Sequence, residues 1–204
     1  MKKKPHNLTW IPHFIGRNAK LIPLLLVAFM VGYESKRYLL PLSQTVVHAP
    51  QLTCKVCFTP RQACLPMILE AIDTAKTSIH MQAYSFTSKP IAAALIRAHQ
   101  RGVRVIVIAD KSQRSEKHTQ IHQVKRAGIP VYIDTKPAIS DSKVMIIDRK
   151  SVLTGSYNFS NAAENRNAEN IVLLASPEVA TMYEDNFASR SAVSEVFMSH
   201  MSHE

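Results

Sequence analysis

At 204 residues, 46% hydrophobic and 20% charged, the chain has room for one folded core of ordinary size. Five glycines, near-average apolar content and no repeated segment exclude collagen-like, disordered and solenoid architectures. The net charge of +10 looks like a nucleic-acid signature, but residues 1–38 hold seven basic groups against one acidic, a net +6, which leaves only +4 for residues 39–204. A surplus of that size suits a phosphate-bearing partner and ordinary solubility alike.

Lys2, Lys3, Lys4, Arg17 and Lys20 precede an uncharged run from Leu21 to Tyr33, which Glu34, Lys36 and Arg37 end. As a helix the run rises only about 20 Å against a hydrocarbon core of about 30 Å, nearer to a signal-peptide core than to an ideal span. Lys20 and Lys36 can snorkel to lengthen it. The only tolerable small pair for cleavage, Val47 and Ala49, lies well beyond Tyr33, so an uncleaved anchor is favoured over a cleaved signal; a buried core helix is the alternative. The basic cluster before the run places the N-terminus in the cytoplasm and the rest on the periplasmic or extracellular side, secreted if the signal is cleaved. Residues 38–52, with Pro41 and Pro50, read as a linker, leaving 53–204 as the folded domain.

Three cysteines, Cys54, Cys57 and Cys64, open that domain. In an exported protein one pair and one leftover is the simplest account: Cys57 with Cys64 would close a loop around Thr59-Pro60, leaving Cys54 buried or paired with another chain. Cys54-x-x-Cys57 is also half of a zinc site, but no second pair and no His-x-x-x-His lies nearby.

Short apolar strand candidates, Lys55–Phe58, Ser78–Ala83, Val103–Ala109 and Pro130–Ile133, alternate with amphipathic stretches, which predicts an α/β sandwich. Leu65, Ile68, Leu69 and Ile72 recur at helical spacing. Ser88 before Lys89-Pro90 gives the second helix a cap, and Gly102 closes it. Lys143–Asp148 and Ser151–Gly155 read as strands joined at Arg149-Lys150. Ile171–Leu174 reads as a buried strand, and a terminal helix begins near Pro177.

Several segments between Cys57 and about Leu174 then stand out together: the CFTP start, QAYSFTS at Gln82–Ser88, IADKSQ at Ile108–Gln113, KVMIID at Lys143–Asp148 and TGSYNFSNAAENRNAEN at Thr154–Asn170. In this order and spacing the chain resembles the short, single-motif bacterial endonucleases of the phospholipase D superfamily. The resemblance implies a mixed sheet between helix layers, the phospholipase D/nuclease-like α/β/α fold. It also implies the pattern His-x-Lys-x-x-x-x-Asp followed by Gly-Ser-x-Asn, two copies of which meet at one site, by homodimerisation in short members.

The chemistry so implied needs no metal or cofactor. An imidazole attacks the phosphodiester to give a phosphohistidine, a second protonates the leaving oxygen, and lysine, serine and asparagine donors stabilise the transferring phosphoryl group. Carried over by position, Lys143 would bind a phosphate oxygen, Ser156 and Asn158 would supply further donors, Glu169 would orient the imidazole, and Asp148 would end the motif as its structural acid. The nucleophile position, however, is Asp141. A carboxylate is anionic at neutral pH, so it repels a phosphodiester besides lacking the imidazole. Three readings are open: a degenerate site with little turnover, a carboxylate nucleophile forming an acyl phosphate, or a metal site built from Asp141, Asp148 and Glu169 of two protomers. The segment Ala188-Ser189-Arg190-Ser191 also lacks a tryptophan that relatives usually carry; the chain's one tryptophan is Trp10.

Blander roles compete at each position. Gly155, Ser156 and Asn158, with Asn165, Asn167 and Asn170, are also ordinary turn formers. Lys143 is also a natural ion-pair partner for a neighbouring carboxylate. His80 sits on an apolar strand as a core histidine, and His118 and His122 stand outside any Lys-x-x-x-x-Asp context. Arg97, Arg101, Arg104, Lys125 and Arg126 read as solvated helix faces, without the interleaved aromatics of a single-strand platform. The expectation is therefore a membrane-anchored phosphodiesterase-like homodimer with nucleic acid as favoured substrate and impaired turnover. Phospholipid hydrolysis and a non-catalytic phosphate-binding role are the alternatives.

Overall fold

A computed structural model describes residues 52–198. The basic N-terminus, the apolar run at 21–33, Trp10 and the linker up to residue 51 lie outside the described residues. The elements run β1 (Thr53–Phe58), α1 (Leu65–Thr74), β2 (Ser78–Ala83), α2 (Lys89–Gln100), β3 (Arg104–Asp110), a short 3-10 turn, α3 (Ile121–Arg126), β4 (Val131–Asp134), β5 (Lys143–Ile147), β6 (Ser151–Gly155), α4 (Asn161–Asn165), β7 (Asn170–Ala175), α5 (Pro177–Val193) and β8 (Glu195–Val196). They form one eight-stranded sheet in the order β1-β7-β6-β5-β2-β3-β4-β8. Within it β2, β3 and β4 are parallel and the remaining pairs antiparallel.

Alternation along the strands sorts the core into two layers. Ile68, Ile72, Ile91, Leu95, Ile121 and Val124, from α1, α2 and α3, pack on Ile79, Met81, Val105, Val107, Met145 and Leu153. On the opposite face Ala180 and Phe187 of α5 cover Ile108, Val144, Ile146 and Val152. The α/β/α sandwich is thus thick on one face and carried by one helix on the other. Local signals place the helices: Ser88 Oγ accepts Ile91 N–H at the start of α2, and Gly102 takes a positive φ of 89° after its end, where a Cβ is disfavoured.

The hairpin between β5 and β6 departs from the sequence reading. Its turn centres on Asp148-Arg149 rather than Arg149-Lys150: both residues have φ 55°, and Lys150 N–H bonds Ile147 O at 3.0 Å. Two left-handed residues match the twist of paired strands, and a side chain with an anchor of its own occupies the first position. Asp148 Oδ1 accepts Thr77 N–H at 2.7 Å, Ser78 N–H at 3.0 Å and Thr77 Oγ1 at 2.9 Å, while Oδ2 accepts Lys76 N–H at 2.9 Å. The α1–β2 loop is thereby pinned to the hairpin.

Burial alone would raise the Asp148 pKa, but these backbone and hydroxyl donors outweigh it and hold the carboxyl below its ordinary value. A depressed folded pKa gives stability that is complete above the unfolded value near 4 and lost as pH falls through the folded value. Asp148→Ala should therefore lower unfolding free energy by roughly 3 kcal/mol at pH 7. The loss should shrink as pH falls from the unfolded value through the lowered folded one, as urea titrations across pH would show.

Two elements escaped the sequence reading, β8 and α4. The first is two residues long, pairs with β4 and carries no periodic signal. In the second, Ser160 Oγ caps Ala163 N–H within a stretch whose asparagines mimic a turn.

Candidate functional site

Strand register brings the motif residues to one edge of the sheet. Lys143, the first residue of β5, lies opposite Ala83, the last of β2; Gly155 ends β6 opposite Ile171 near the start of β7. Lys143, Ser156, Asn158 and Glu169 therefore gather where β2, β3 and β4 have their C-terminal ends. Asp148 does not join them. It follows the far end of β5, roughly 16 Å from Lys143 at strand rise, and its place in the motif is structural.

Ser156 is held from two sides. Its hydroxyl lies 2.6 Å from Glu169 Oε2 and accepts Asn170 N–H at 3.1 Å. Glu169 Oε1 accepts Asn167 Nδ2 at 2.8 Å, and Glu169 N–H donates to Thr59 Oγ1 at 3.1 Å. Glu169 thus orients Ser156 and Asn167. Asn158 leaves its Oδ1 buried with no partner among the described residues.

Gly155 makes this approach possible. A Cβ there would lie 2.2 Å from Asn170 O and 2.9 Å from Ile171 Cα, both backbone atoms that cannot swing away. Gly155→Ala should push β7 off β6, lower stability by about 2 kcal/mol and disturb the Ser156–Glu169 pair, visible as a lowered melting temperature.

Asp141 and Lys143 pair with each other. The Lys143 ammonium is bound by the Asp141 carboxylate and lies 3.2 Å from the Asp141 carbonyl and 5.3 Å from the centre of the Tyr84 ring. The Lys143 side chain is 12% exposed, that of Asp141 63%, so the carboxylate stands at the solvent side of the cation, where an incoming anion would approach.

The loop carrying both is fastened by two buried carboxylates at the ends of neighbouring strands. Asp110 Oδ2 accepts Ser140 N–H at 2.7 Å. Asp134, fully buried, is 3.2 Å from Ser140 Oγ and takes both arms of Arg190, Nε at 2.8 Å and Nη2 at 2.6 Å. Burial would raise both carboxyls, yet the Ser140 and Ser112 backbone donors hold Asp110, and the Arg190 guanidinium holds Asp134, below the ordinary range; Asp134 in turn raises Arg190. Ser142 O accepts Tyr84 N–H at 2.9 Å, fixing the other flank. Asp110, Asp134, Arg190, Tyr84 and Thr59 were not marked from the sequence. The available signal was an Asp closing each of two adjacent apolar strands, IAD and YID.

The histidines lie elsewhere. His80 Nδ1 bonds Glu184 Oε2 at 2.8 Å and its ring stacks on Phe187, centroids 4.8 Å apart, beneath α5; Nε2 is buried without a partner among the described residues. His122 lies edge-on to Phe197, and His118 is exposed in a separate cleft. Among the described residues none bonds Lys143, Ser156 or Glu169, and no group of three metal-ligating side chains forms. Cys57 and Cys64 are joined by a disulfide, Cα–Cα 5.7 Å; Cys54 is exposed rather than buried.

Comparison with known proteins extends this geometry. The family profile described as "Cardiolipin synthase, PLD-like domain" matches residues 68–191. A Rickettsia bellii protein named Phospholipase D is 46% identical over 136 residues, 67% of this chain and 68% of its own. A Rickettsia typhi protein of the same name is 40% identical over 190 residues, 91% of this chain and 93% of its own. The crystal structure of Nuc from Salmonella typhimurium, a phospholipase D family member, superposes with a TM-score of 0.70 at 34% identity, over 73% of this chain and all of that one. Sequence, sheet order and the gathered Lys143, Ser156, Asn158 and Glu169 agree on one assignment: the chain belongs to the phospholipase D superfamily of phosphodiesterases.

Proposed function

We propose that this chain is an endonuclease-type member of the superfamily whose site binds nucleic-acid phosphodiesters as a homodimer but turns them over poorly. The observation that carries the reading is the Asp141–Lys143 ion pair. It puts a carboxylate where the mechanism needs an imidazole and engages the cation that would hold the phosphate. Beside it the Glu169 carboxylate accepts from Ser156 and Asn167 and holds both side chains in place, so phosphate affinity survives where nucleophilic attack does not.

The homodimer part of the proposal has its own support. Val56 and Phe58 of β1 are 49% and 54% exposed and pair with Val172 and Asn170 of β7, on the sheet face that α5 covers only as far as β6. A second copy seated there would bury this apolar strip and bring a second Lys143 toward the first. In sedimentation of the detergent-solubilised full chain, the unaltered protein should run as a dimer and Val56→Glu with Val172→Glu as a monomer. A monomeric parent protein would remove the composite site.

The relatives named Phospholipase D favour a second reading, hydrolysis of a phospholipid head group. Binding to anionic vesicles that no oligonucleotide displaces, with no oligonucleotide affinity, would select it.

A further inference from the structure

A second cleft, of about 540 Å³, opens between the start of α2, the 117–120 loop and α4, within the roughly 300–1,000 Å³ of small-ligand sites. Its wall is the other side of the motif itself. Ser156 lies at the phosphodiester site, while Tyr157, buried to 1%, turns into the cleft wall. The cleft has one carboxylate, Glu164, whose Oε2 is already used by Tyr157 Oη at 2.9 Å and Leu65 N–H at 2.9 Å. Its cations are not used. Lys89 and Lys117 are exposed and have no carboxylate partner among the described residues, and His118 stands beside them. With Thr119 and Gln120 bonded internally to Gln113 and the His118 carbonyl, the free ammonium groups at the cleft are its unsatisfied charges and suit an anionic group.

We infer that this cleft is a flanking subsite, in which Lys89 and Lys117 bind a phosphate of the same nucleic-acid strand whose neighbouring phosphodiester lies at Lys143 and Ser156. The inference rests on the nucleic-acid reading above and deepens it. It makes recognition extend over more than one internucleotide link, with the Gly155–Asn158 segment as the partition between two phosphate positions.

The test is fluorescence anisotropy with the detergent-solubilised full chain, using labelled hexathymidylate and a labelled thymidine dinucleotide that holds one phosphodiester. Lys89→Ala with Lys117→Ala should weaken hexathymidylate binding about tenfold at low salt and make its salt slope shallower by roughly 0.7, the single-strand value for one phosphate no longer neutralised. Dinucleotide affinity should stay unchanged. Equal hexathymidylate affinity and slope in the double variant, with binding still lost in Lys143→Ala, overturns the subsite and leaves the nucleic-acid reading standing. A parent protein that binds neither probe overturns both. Equal weakening for both probes also counts against the subsite, because it would place the lysines at the first phosphate.

Discussion

Asp141→His should raise hydrolysis of an activated phosphodiester by a factor on the order of 10³ or more over the unaltered chain. The substitution does three things at once. It removes the carboxylate paired with Lys143, restores a neutral nucleophile, and in a dimer supplies the second imidazole as proton donor. The pH profile should rise near the ordinary histidine pKa of about 6.5, and EDTA should leave it unchanged. Asp141→Asn separates the contributions: it also frees Lys143, so phosphate affinity should increase severalfold, but turnover should not appear.

Arg190→Ala should lower stability by roughly 3 kcal/mol, or the melting temperature by about 6–12 °C. The guanidinium makes two short bonds to Asp134, whose side chain has no exposure. Without it a buried carboxylate keeps only Ser140 Oγ and Lys136 N–H as donors. Arg190→Lys should recover less than half, since an ammonium cannot reproduce the planar two-point geometry. The effect should also reach the site. Asp134 and Asp110 both hold Ser140, next to the nucleophile position, so in the Asp141→His background Arg190→Ala should reduce turnover even at temperatures where the protein remains folded. Activity that stays unchanged there would mean that the 135–142 loop keeps its place without the Asp134–Ser140 contact, through anchors such as Asp110, Tyr84 and Lys111.

Most of the architecture was legible because the strands are strongly apolar and the helix signals are local. The strands at Lys143–Asp148 and Ile171–Leu174 and the cap at Ser88 needed nothing beyond periodicity and turn chemistry, and the first ends one residue earlier, at Ile147. The resemblance to phospholipase D endonucleases also implied Lys143, Ser156 and Glu169 as parts of one site, and the β5, β6 and β7 registers place them at one edge of the sheet. What the sequence did not show were relations across distance. The Arg190–Asp134 pair joins residues 56 apart, and the Ser156–Glu169 bond depends on the close approach at Gly155. The Asp148-Arg149 turn was misplaced by one residue because its first position is set by hydrogen bonds to residues 76–78, some seventy positions earlier. Lys143 reads from the sequence as a phosphate ligand, with an ion pair to Asp141 or Asp148 as the alternative. The geometry has it paired with Asp141, and with Asp148 at the far end of the strand the choice of partner is physical rather than sequential.

The measurement that bears most directly on this account is phosphodiester hydrolysis by the unaltered full chain beside Lys143→Ala, on plasmid DNA and on bis(p-nitrophenyl) phosphate, first in EDTA and then in magnesium. The account predicts background rates for both proteins in both conditions. Turnover by the unaltered chain that disappears in Lys143→Ala would contradict it, showing that the site works with Asp141 in place. Turnover confined to magnesium would name the carboxylates, not an imidazole, as the reacting or metal-binding groups.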